Sequence, residues 1–482
     1  MDGLSVALRP QHMLRTYTCD GQRVVLCAWL ICLVVGWFLV GRIVPEPYMD
    51  EIFHVGQTRE YWSGNWKHWD DKITTPPGLY LLGWLSCWCA RTVGILEANV
   101  CDTQTLRVVN VAGAIVCVAL FLRIRKKQTC RDEKKCNDSE LVYAVNLAMY
   151  PFHFFYCLIY YTDVWSTAFV LLAYSYGIDG NYWLSAMFGA CSLLMRQTNV
   201  LWFGFITAVS LRRFLKNTMQ SRSKKVSKSD SSSPLVELKL LCFLAWRNKL
   251  RILYFFSPHV LLVGSFIGFL YLNGGVVLGD RLAHNVSFHP MQFLYLALVF
   301  STTRFFRCCK ILAVECKQNL SCAKQNPLRF TLALCGITLV LCFLIKEFTF
   351  YHPFILADNR HFTFYFRRKI LDGLPFGKYL MVPLYLISLI HLLGEWRRSK
   401  LPSLEKVAWL VITVLSVVPS PLVELRYFNL PVIFITLLFC PTEGASDWWL
   451  FVQYLFVNTI VVFAFLFLPF SWPDGSTARF IW

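Results

Sequence analysis

Residues 24–54 read VVLCAWLICLVVGWFLVGRIVPEPYMDEIFH, and this stretch decides the fold. A spanning helix needs roughly 20 predominantly apolar residues, which residues 24–44 supply. Three arginines precede this run, so the positive-inside rule predicts a cytosolic N-terminus. The run is too long for the apolar part of a signal peptide and lacks a small-residue cleavage site. We therefore predict a first spanning helix that places the acid pair Asp50-Glu51 at the lumenal face of a membrane.

The composition is that of a membrane protein. Of the 482 residues, 56% are hydrophobic and only 16% are charged, whereas about a quarter of a soluble domain is charged. Apolar runs of roughly 20 residues recur along nearly the whole chain, and they are continuous rather than alternating as in a transmembrane β-barrel. We predict an all-α polytopic membrane protein in which residues 1–482 form a single transmembrane domain surrounded by membrane lipid.

The positions of the basic residues predict the topology and argue against nucleic acid as the partner of a chain with net charge +18. They cluster in short loops between apolar runs, a pattern typical of cytosolic loops. The four clusters lie within residues 123–135, 212–228, 304–329 and 397–406. Keeping all four cytosolic predicts about 13 spanning helices and makes residues 78–94 a juxtamembrane helix. The count becomes 14 if residues 78–94 cross the membrane.

This topology predicts three long loops. Residues 45–105 form a first lumenal loop with juxtamembrane helices, and this loop carries the acid pair. Residues 214–250 form a cytosolic loop that is partly disordered, because its centre is rich in Ser and Lys and poor in apolar residues. Residues 347–372 form a lumenal loop that is predicted to bind phosphate or substrate.

Sequons and cysteines carry weaker signals. Asn-x-Ser sequons occur at Asn137, Asn285 and Asn319, and only Asn285 is predicted to be lumenal. The 19 cysteines include no Cys-x-x-Cys pair and lie mostly within apolar runs. Free cysteine behaves as a small buried hydrophobe, so these residues are interpreted as free thiols that contribute to packing.

Asp50 and Glu51 are the strongest candidates for catalysis, because carboxylates are costly near a bilayer and usually have a function there. Neighbours on a helix point about 100° apart, and His54 shares a face with either acid. A carboxylate beside an acceptor hydroxyl can take its proton as the oxygen attacks. The plainer interpretation is that both acids cap a helix, whose N-terminus favours anions. We predict that Asp50 and Glu51 are catalytic and that His54 helps to bind the substrate.

Further polar residues are predicted to gather at the same lumenal face, and they are candidates for binding the substrate and its phosphate. These are Arg196, Asp358, Arg360, His361 and Arg426. Arginine and histidine supply hydrogen-bond donors suited to phosphate. Each also has a plainer interpretation as part of a polar helix break, an interfacial loop or an ordinary ion pair. The sequence has no metal-ligand spacing and no phosphate-binding glycine loop, so neither a metal nor a cofactor is expected.

Together these residues resemble the GT-C glycosyltransferases, endoplasmic-reticulum enzymes that use dolichyl-phosphate sugars. Within that class, six stretches look like the dolichyl-phosphate-glucose-dependent alpha-1,2-glucosyltransferases. They are YMDEIFH at 48–54, TTPPGLY at 74–80, RQTN at 196–199, GD at 279–280, HPFILADNRHFTFY at 352–365 and RYF at 426–428. The resemblance runs from Asp50 to Tyr427. The chain departs from the family pattern at Pro76-Pro77, where a single proline is expected, and at Leu425, where a proline is expected.

The resemblance implies a multi-pass endoplasmic-reticulum enzyme with a GT-C-type fold and a lumenal active site. The donor would be dolichyl-phosphate glucose, and the acceptor the diglucosylated, mannose-rich oligosaccharide on dolichyl pyrophosphate. Transfer would be the last step of N-glycan precursor assembly, inverting and metal-independent. Asp50 would be the base with Glu51 and His54 in support, while Arg360 and His361, with Arg426, would face phosphate.

Residue chemistry alone leaves alternatives open. It distinguishes neither glucose from mannose nor Asp50 from Glu51 as the base. Another dolichyl-phosphate-sugar transferase, either a mannosyl enzyme or an upstream glucosyl enzyme, would need the same kinds of residue. A transporter or channel-associated protein would need polar residues along a continuous path across the bilayer, whereas these residues gather at one face.

Overall fold

The computed structural model describes residues 10–94, 101–129, 139–222, 234–279, 286–352, 358–442 and 445–482. Helices make up most of it. They are α1 Pro10–Ile43, α2 Glu51–Trp62, α3 Gly78–Thr92, α4 Thr103–Thr129, α5 Ser139–Ala148, α6 Pro151–Phe154, α7 Asp163–Ile178, α8 Tyr182–Met195, α9 Asn199–Arg222, α10 Pro234–Arg247, α11 Lys249–Asn273, α12 Met291–Thr303, α13 Phe305–Gln325, α14 Pro327–Phe348, α15 Phe362–Phe366, α16 Val382–Arg398, α17 Ser403–Val417, α18 Asn429–Phe439 and α19 Ala445–Phe467.

Shorter elements connect some of these helices. Within the described residues, three 3-10 turns cover Phe155–Cys157, Tyr379–Met381 and Leu425–Phe428, and a π-helical turn covers Arg367–Leu371. One antiparallel hairpin near the C-terminus pairs β1 Phe470–Ser471 with β2 Thr477–Ala478.

Six helices of the described chain are long and apolar enough to cross a membrane, so this is an all-α polytopic membrane protein. They are Gly21–Ile43, Thr103–Gln128, Lys249–Asn273, Pro327–Phe348, Tyr379–Arg398 and Asp447–Phe467. Three shorter apolar helices cover Tyr182–Met195, Met291–Thr303 and Leu425–Phe439. The larger number of spans expected from the sequence stays a prediction, because these shorter helices fall below the length of about 20 residues that a full crossing needs.

Two apolar runs of the sequence are interrupted in the structure. Residues 140–159 divide into α5, α6 and a 3-10 turn, and the division falls at Pro151, which opens α6. Proline fits the first turn of a helix but cannot donate an amide within a helix interior. Within residues 291–307, helix α12 ends at Thr303. The amphipathic helix α13 follows, with basic residues on its surface. This pattern is typical of a helix that lies in a membrane interface.

The site rests on a core of packed helices around α7, which contacts α4, α8 and α9. Tyr174 of α7 places its ring 5.6 Å from that of Phe434 in α18, and Trp202 of α9 stacks on Phe434 at 4.9 Å. Nearly every residue of α18 is buried, as expected for a helix that is apolar on all sides. This core gives the adjoining loops a rigid support.

The helix predicted over residues 78–94 is α3, a 15-residue helix whose length suits a juxtamembrane position. A disulfide joins Cys87 in α3 to Cys101 just before α4, with the two Cα atoms 5.5 Å apart. The interpretation of the cysteines as free thiols is therefore wrong for this pair. The two cysteines are 14 positions apart and form no motif, and the pairing depends on how α3 folds back towards α4.

The C-terminal hairpin turns the chain back towards the site. Gly475, with a φ of 80°, makes the turn between the strands, a conformation that suits glycine because it lacks a side chain. Beyond β2, Ile481 pairs with His361 in an isolated parallel bridge. The last residues of the chain thus lie against the loop at residues 358–362.

Candidate active site

A cavity of about 390 Å³ lies where the loops after α1, before α15 and before α18 meet the C-terminal hairpin. Its charged lining residues are Asp50, Asp358, Arg360, His361, Glu424 and Arg426. Five of the eight site residues predicted from sequence are therefore brought together. The other three, Glu51, His54 and Arg196, do not line this cavity.

Asp50 reaches the cavity because it is the N-cap residue of α2, although its side chain makes no capping hydrogen bond. The preceding residue, Met49, has a φ of 57°, in the left-handed region that bulky side chains rarely adopt. Such a conformation persists only where its surroundings hold it. One restraint is the hydroxyl of Tyr161, which accepts a hydrogen bond from the Asp50 amide at 3.0 Å. The Asp50 carboxylate is thereby aimed into the cavity with 41% of its side chain exposed.

Arg426 sits between two acids in the cavity wall. Its Nη1 donates to Oδ2 of Asp50 at 3.1 Å, and its Nε donates to Glu424. Partial loss of hydration within the cavity raises the pKa of Asp50, but Arg426 and the neighbouring histidines lower it by more, so the pKa lies below its ordinary value. Asp50 is therefore an ionised carboxylate at neutral pH, with lone pairs that face the cavity.

Glu51 has a different environment from its neighbour. Its carboxylate receives hydrogen bonds from Nε and Nη2 of Arg107 at 2.9 and 2.6 Å, and neither side chain is exposed. It also accepts from the amides of Tyr160 at 2.6 Å and Tyr48 at 3.0 Å. Arg107 in addition donates to the Val44 carbonyl at 2.7 Å. Glu51 therefore ties the end of α1, the start of α2 and α4 together, and it points away from the cavity.

His54 is a buried neighbour of Asp50. Its Nδ1 lies 3.0 Å from the hydroxyl of Tyr80, and its ring packs edge-on against Tyr161 with 5.6 Å between centroids. Burial lowers the pKa of His54 to about 4, so the imidazole is neutral at physiological pH. His54 supports the wall behind Asp50.

Arg196 is occupied by a partner outside the cavity. It forms a 3.0 Å ion pair with Asp163 at the start of α7, and its Nε donates to Thr162 at 3.2 Å. Its guanidinium lies 5.7 Å from the ring of Tyr427, next to Arg426 in sequence. Arg196 thus pairs with polar groups at the break between α8 and α9, in agreement with its plainer interpretation. It also lies next to the site.

Asp358, Arg360 and His361 form a compact charged turn before α15. Arg360 donates to both carboxylate oxygens of Asp358 at 2.8 Å, and His361 Nε2 lies 3.7 Å from the same carboxylate. Burial raises the pKa of Asp358, but its hydrogen bonds from Arg360 lower it by more, so Asp358 is ionised. Arg360 and His361 therefore present donors to the cavity from a turn that holds its own geometry.

The cavity thus combines an exposed carboxylate with three cationic or hydrogen-bonding side chains. Asp50 can accept a proton, while Arg360 and His361 with Arg426 can stabilise an anion in the same space. Among the residues that the structure describes, no group of three or more His, Cys, Asp or Glu side chains is arranged to hold a metal ion. The arrangement is suited to a group transfer that takes a proton from one partner and leaves charge on the other.

The model of the DIE2/ALG10 family matches residues 44–437 of the chain. This protein belongs to the DIE2/ALG10 family. A relative from Arabidopsis thaliana, named Dol-P-Glc:Glc(2)Man(9)GlcNAc(2)-PP-Dol alpha-1,2-glucosyltransferase, is 32% identical over 94% of this chain and 98% of its own length. Relatives with the same name in Mus musculus and Yarrowia lipolytica are 32% and 29% identical, covering 95% and 91% of this chain and 97% and 93% of their own length. No solved structure matches the chain.

Two parts of the site in this DIE2/ALG10-family chain were not predicted from sequence. Arg107 is a single basic residue at the start of the apolar helix α4, and an isolated charge in such a helix is itself a signal that it has a partner. Trp472 and Ile481 also line the cavity. They lie beyond residue 437, where the family match ends, and no motif marks them.

Proposed function

We propose that this protein transfers glucose from dolichyl-phosphate glucose, in alpha-1,2 linkage, to the diglucosylated, mannose-rich oligosaccharide on dolichyl pyrophosphate. This is the last step of N-glycan precursor assembly. Membership of a family whose named relatives carry this activity supports the proposal. The observation that carries it is the Asp50 carboxylate, which faces a cavity shared with Arg360, His361 and Arg426.

The proposed reaction is a single in-line displacement with inversion. The acceptor hydroxyl oxygen bonds to C1 of the glucose while Asp50 takes the hydroxyl proton, an effect worth about 10²–10⁴-fold in rate. The bond from C1 to the phosphate oxygen breaks, and its electron pair leaves with dolichyl phosphate. Arg360, His361 and Arg426 stabilise the departing phosphate, since donors fixed before the reaction act at little reorganisation cost. The proposal requires no metal ion and no cofactor.

The remaining predicted residues take supporting roles in this proposal. Glu51 fixes the entry to α2 through Arg107, so it positions Asp50 rather than acting as the base. His54 shields the carboxylate from behind. Arg196 holds the start of α7, two residues after Tyr161, whose hydroxyl accepts a hydrogen bond from the Asp50 amide. The contact of Arg196 with the Tyr427 ring keeps it close to Arg426.

We also propose the orientation expected from the sequence: an endoplasmic-reticulum membrane location, a cytosolic N-terminus, a lumenal active site and a GT-C-type fold with about 13 spans. The loops at 45–105 and 347–372 would then be lumenal and the loop at 214–250 cytosolic. The Cys87–Cys101 disulfide supports this orientation, because disulfides persist in the lumen and are rare in the cytosol. It lies in the same lumenal loop as Asp50.

A donor-choice assay tests the function. Purified full-length protein is incubated with the diglucosylated lipid-linked acceptor and either dolichyl-phosphate glucose or dolichyl-phosphate mannose. We expect one hexose to be added from the glucose donor only, and removed again by an alpha-1,2-specific glucosidase. Transfer from the mannose donor instead, or a product with another linkage, would overturn the proposal.

A further inference from the structure

The C-terminal segment, Phe470–Trp482, contacts both loops that carry the proposed active site. It follows the last long helix and lies outside residues 44–437, over which the family model matches. Neither its sequence nor the family match gives it a role. Its contacts show that it is built into the site.

One set of contacts joins the segment to the loop of Asp50. Arg479 Nη1 donates to the carbonyls of Phe465 and Leu466 at 2.9 and 2.8 Å, which fixes the segment to the end of α19. The Arg479 amide donates to the Tyr48 hydroxyl at 2.7 Å, and that hydroxyl lies 2.8 Å from the Arg479 carbonyl. Tyr48 precedes Asp50 by two residues, so this contact holds the turn that presents Asp50.

A second set joins the segment to the charged turn. The Ile481 amide donates to the Arg360 carbonyl at 2.9 Å, and the Phe362 amide donates to the Ile481 carbonyl at 3.3 Å. His361 Nδ1 lies 2.7 Å from the main-chain oxygen of Trp482. Because that oxygen can only accept, Nδ1 carries a proton, and Nε2, which faces Asp358, is a second donor when the ring is protonated at both nitrogens.

Trp472 is the part of the segment whose side chain forms the cavity wall. Its Nε1 donates to the Asn359 side chain at 2.7 Å, which fixes the orientation of the indole. The guanidinium of Arg360 lies 4.7 Å from the centroid of the same ring. An aromatic wall with a few fixed polar groups beside it is typical of pockets for small polar ligands.

We propose that Trp472 is a donor-binding residue whose indole packs against the glucose ring of the lipid-phosphate donor, and that Phe470–Trp482 holds this ring in place. The inference rests on the proposed function. Arg360 is assigned to the donor phosphate, and the glucose is bonded directly to that phosphate. The Trp472 indole lies next to Arg360, so it is the ring that the glucose contacts. Indole offers a large, rigid apolar surface for the carbon face of a sugar.

The test compares Trp472→Phe, Trp472→Leu and Trp472→Ala with wild type, using purified full-length protein. The KM is measured separately for dolichyl-phosphate glucose and for the acceptor, and thermal unfolding is followed in parallel. We expect the donor KM to rise about tenfold in the alanine variant, by a smaller factor in the leucine variant and least in the phenylalanine variant. The acceptor KM and the unfolding temperature stay close to wild type.

Phe463→Ala is the matched control, because Phe463 is an aromatic residue of α19 outside this segment. It packs on Phe467 with 5.2 Å between ring centroids and does not line the cavity. It should leave both KM values unchanged. If the alanine variant of Trp472 unfolds, the leucine and phenylalanine variants decide the question. A donor KM equal to wild type in all folded variants, or a rise in the acceptor KM alone, overturns the inference. A wild-type protein that transfers no glucose instead refutes the proposed function.

Discussion

Arg107 forms two hydrogen bonds with Glu51 in a pair that has no solvent exposure, while Asp50, the residue before Glu51, faces the open cavity. Two adjacent acids therefore have different environments. The buried pair joins the start of α2 to α4, and the proposed mechanism assigns the role of base to the exposed carboxylate. Substitution of Glu51 should lower the stability of the protein, whereas substitution of Asp50 should lower its activity.

Glu51→Gln should destabilise the protein, because it leaves the Arg107 guanidinium buried without its counter-charge. Removing one partner of a buried ion pair costs about 3–5 kcal/mol. The measurement is thermal or denaturant unfolding of the detergent-solubilised protein. Asp50→Asn serves as the control and should unfold close to wild type. A Glu51→Gln protein that is as stable as wild type but inactive would instead assign Glu51 to catalysis.

Arg426→Met should move the acid limb of the pH–rate profile upward. The pKa of Asp50 lies below its ordinary value of 3.8 because Arg426 offsets the effect of burial. In wild type Asp50 therefore stays ionised as the pH falls to about 3.8. Without Arg426, protonation of Asp50 begins at a higher pH. The measurement is kcat/KM for dolichyl-phosphate glucose as a function of pH, at a saturating concentration of the acceptor.

Arg360→Met is the control for that experiment, because Arg360 pairs with Asp358 rather than with Asp50. It should weaken donor binding while the acid limb keeps its position. An acid limb at the same pH in wild type and in Arg426→Met would show that Asp50 is not the titrating base.

His54→Gln should make stability less sensitive to mild acid. Burial lowers the pKa of His54 from 6.5 to about 4, so between these values the unfolded state binds more protons than the folded state. The free energy of unfolding contributed by this group is therefore complete above pH 6.5 and falls as pH drops towards 4, by about 3 kcal/mol.

The measurement for His54 is the unfolding temperature of wild type and variant at pH 7 and pH 5. All other histidines are shared by the two proteins, so the difference between the two pH slopes reports His54. The wild-type slope should be the steeper one. Equal slopes would show that His54 is not held in a neutral, buried state.

Asn285→Gln should remove the only N-linked glycan predicted for this chain. Asn285 lies outside the described residues, in a loop predicted to be lumenal, whereas Asn137 and Asn319 are predicted to be cytosolic. The measurement is the shift in gel mobility on endoglycosidase treatment, for each single Asn→Gln variant. Loss of the shift with Asn319→Gln would place α13 in the lumen and contradict the proposed topology.

Much of the site could be predicted from sequence because charged residues are conspicuous in an apolar chain. The predicted topology places five of these residues at one membrane face, and the same five line one cavity: Asp50, Asp358, Arg360, His361 and Arg426. The different environments of Asp50 and Glu51 could not be predicted. It depends on Arg107, 56 residues further along the chain from Glu51, and on the packing of α4 against the end of α1.

Other features depend on long-range geometry that leaves no local pattern. The Cys87–Cys101 pairing depends on how α3 folds back towards α4. Trp472 reaches the cavity only because the hairpin after α19 turns the chain towards Arg360. Pro151 is present in the sequence, but an apolar run alone does not indicate whether a proline begins a new helix or only kinks an existing one.

The most direct test of the central claim is glucose transfer by purified Asp50→Asn and wild-type proteins, assayed with dolichyl-phosphate glucose and the diglucosylated acceptor in the presence of a chelator. The account predicts that wild type retains transfer, while the variant, folded as judged by its unfolding temperature, loses about 10²–10⁴-fold in kcat. Near-wild-type transfer by Asp50→Asn would contradict the role of Asp50 as the base.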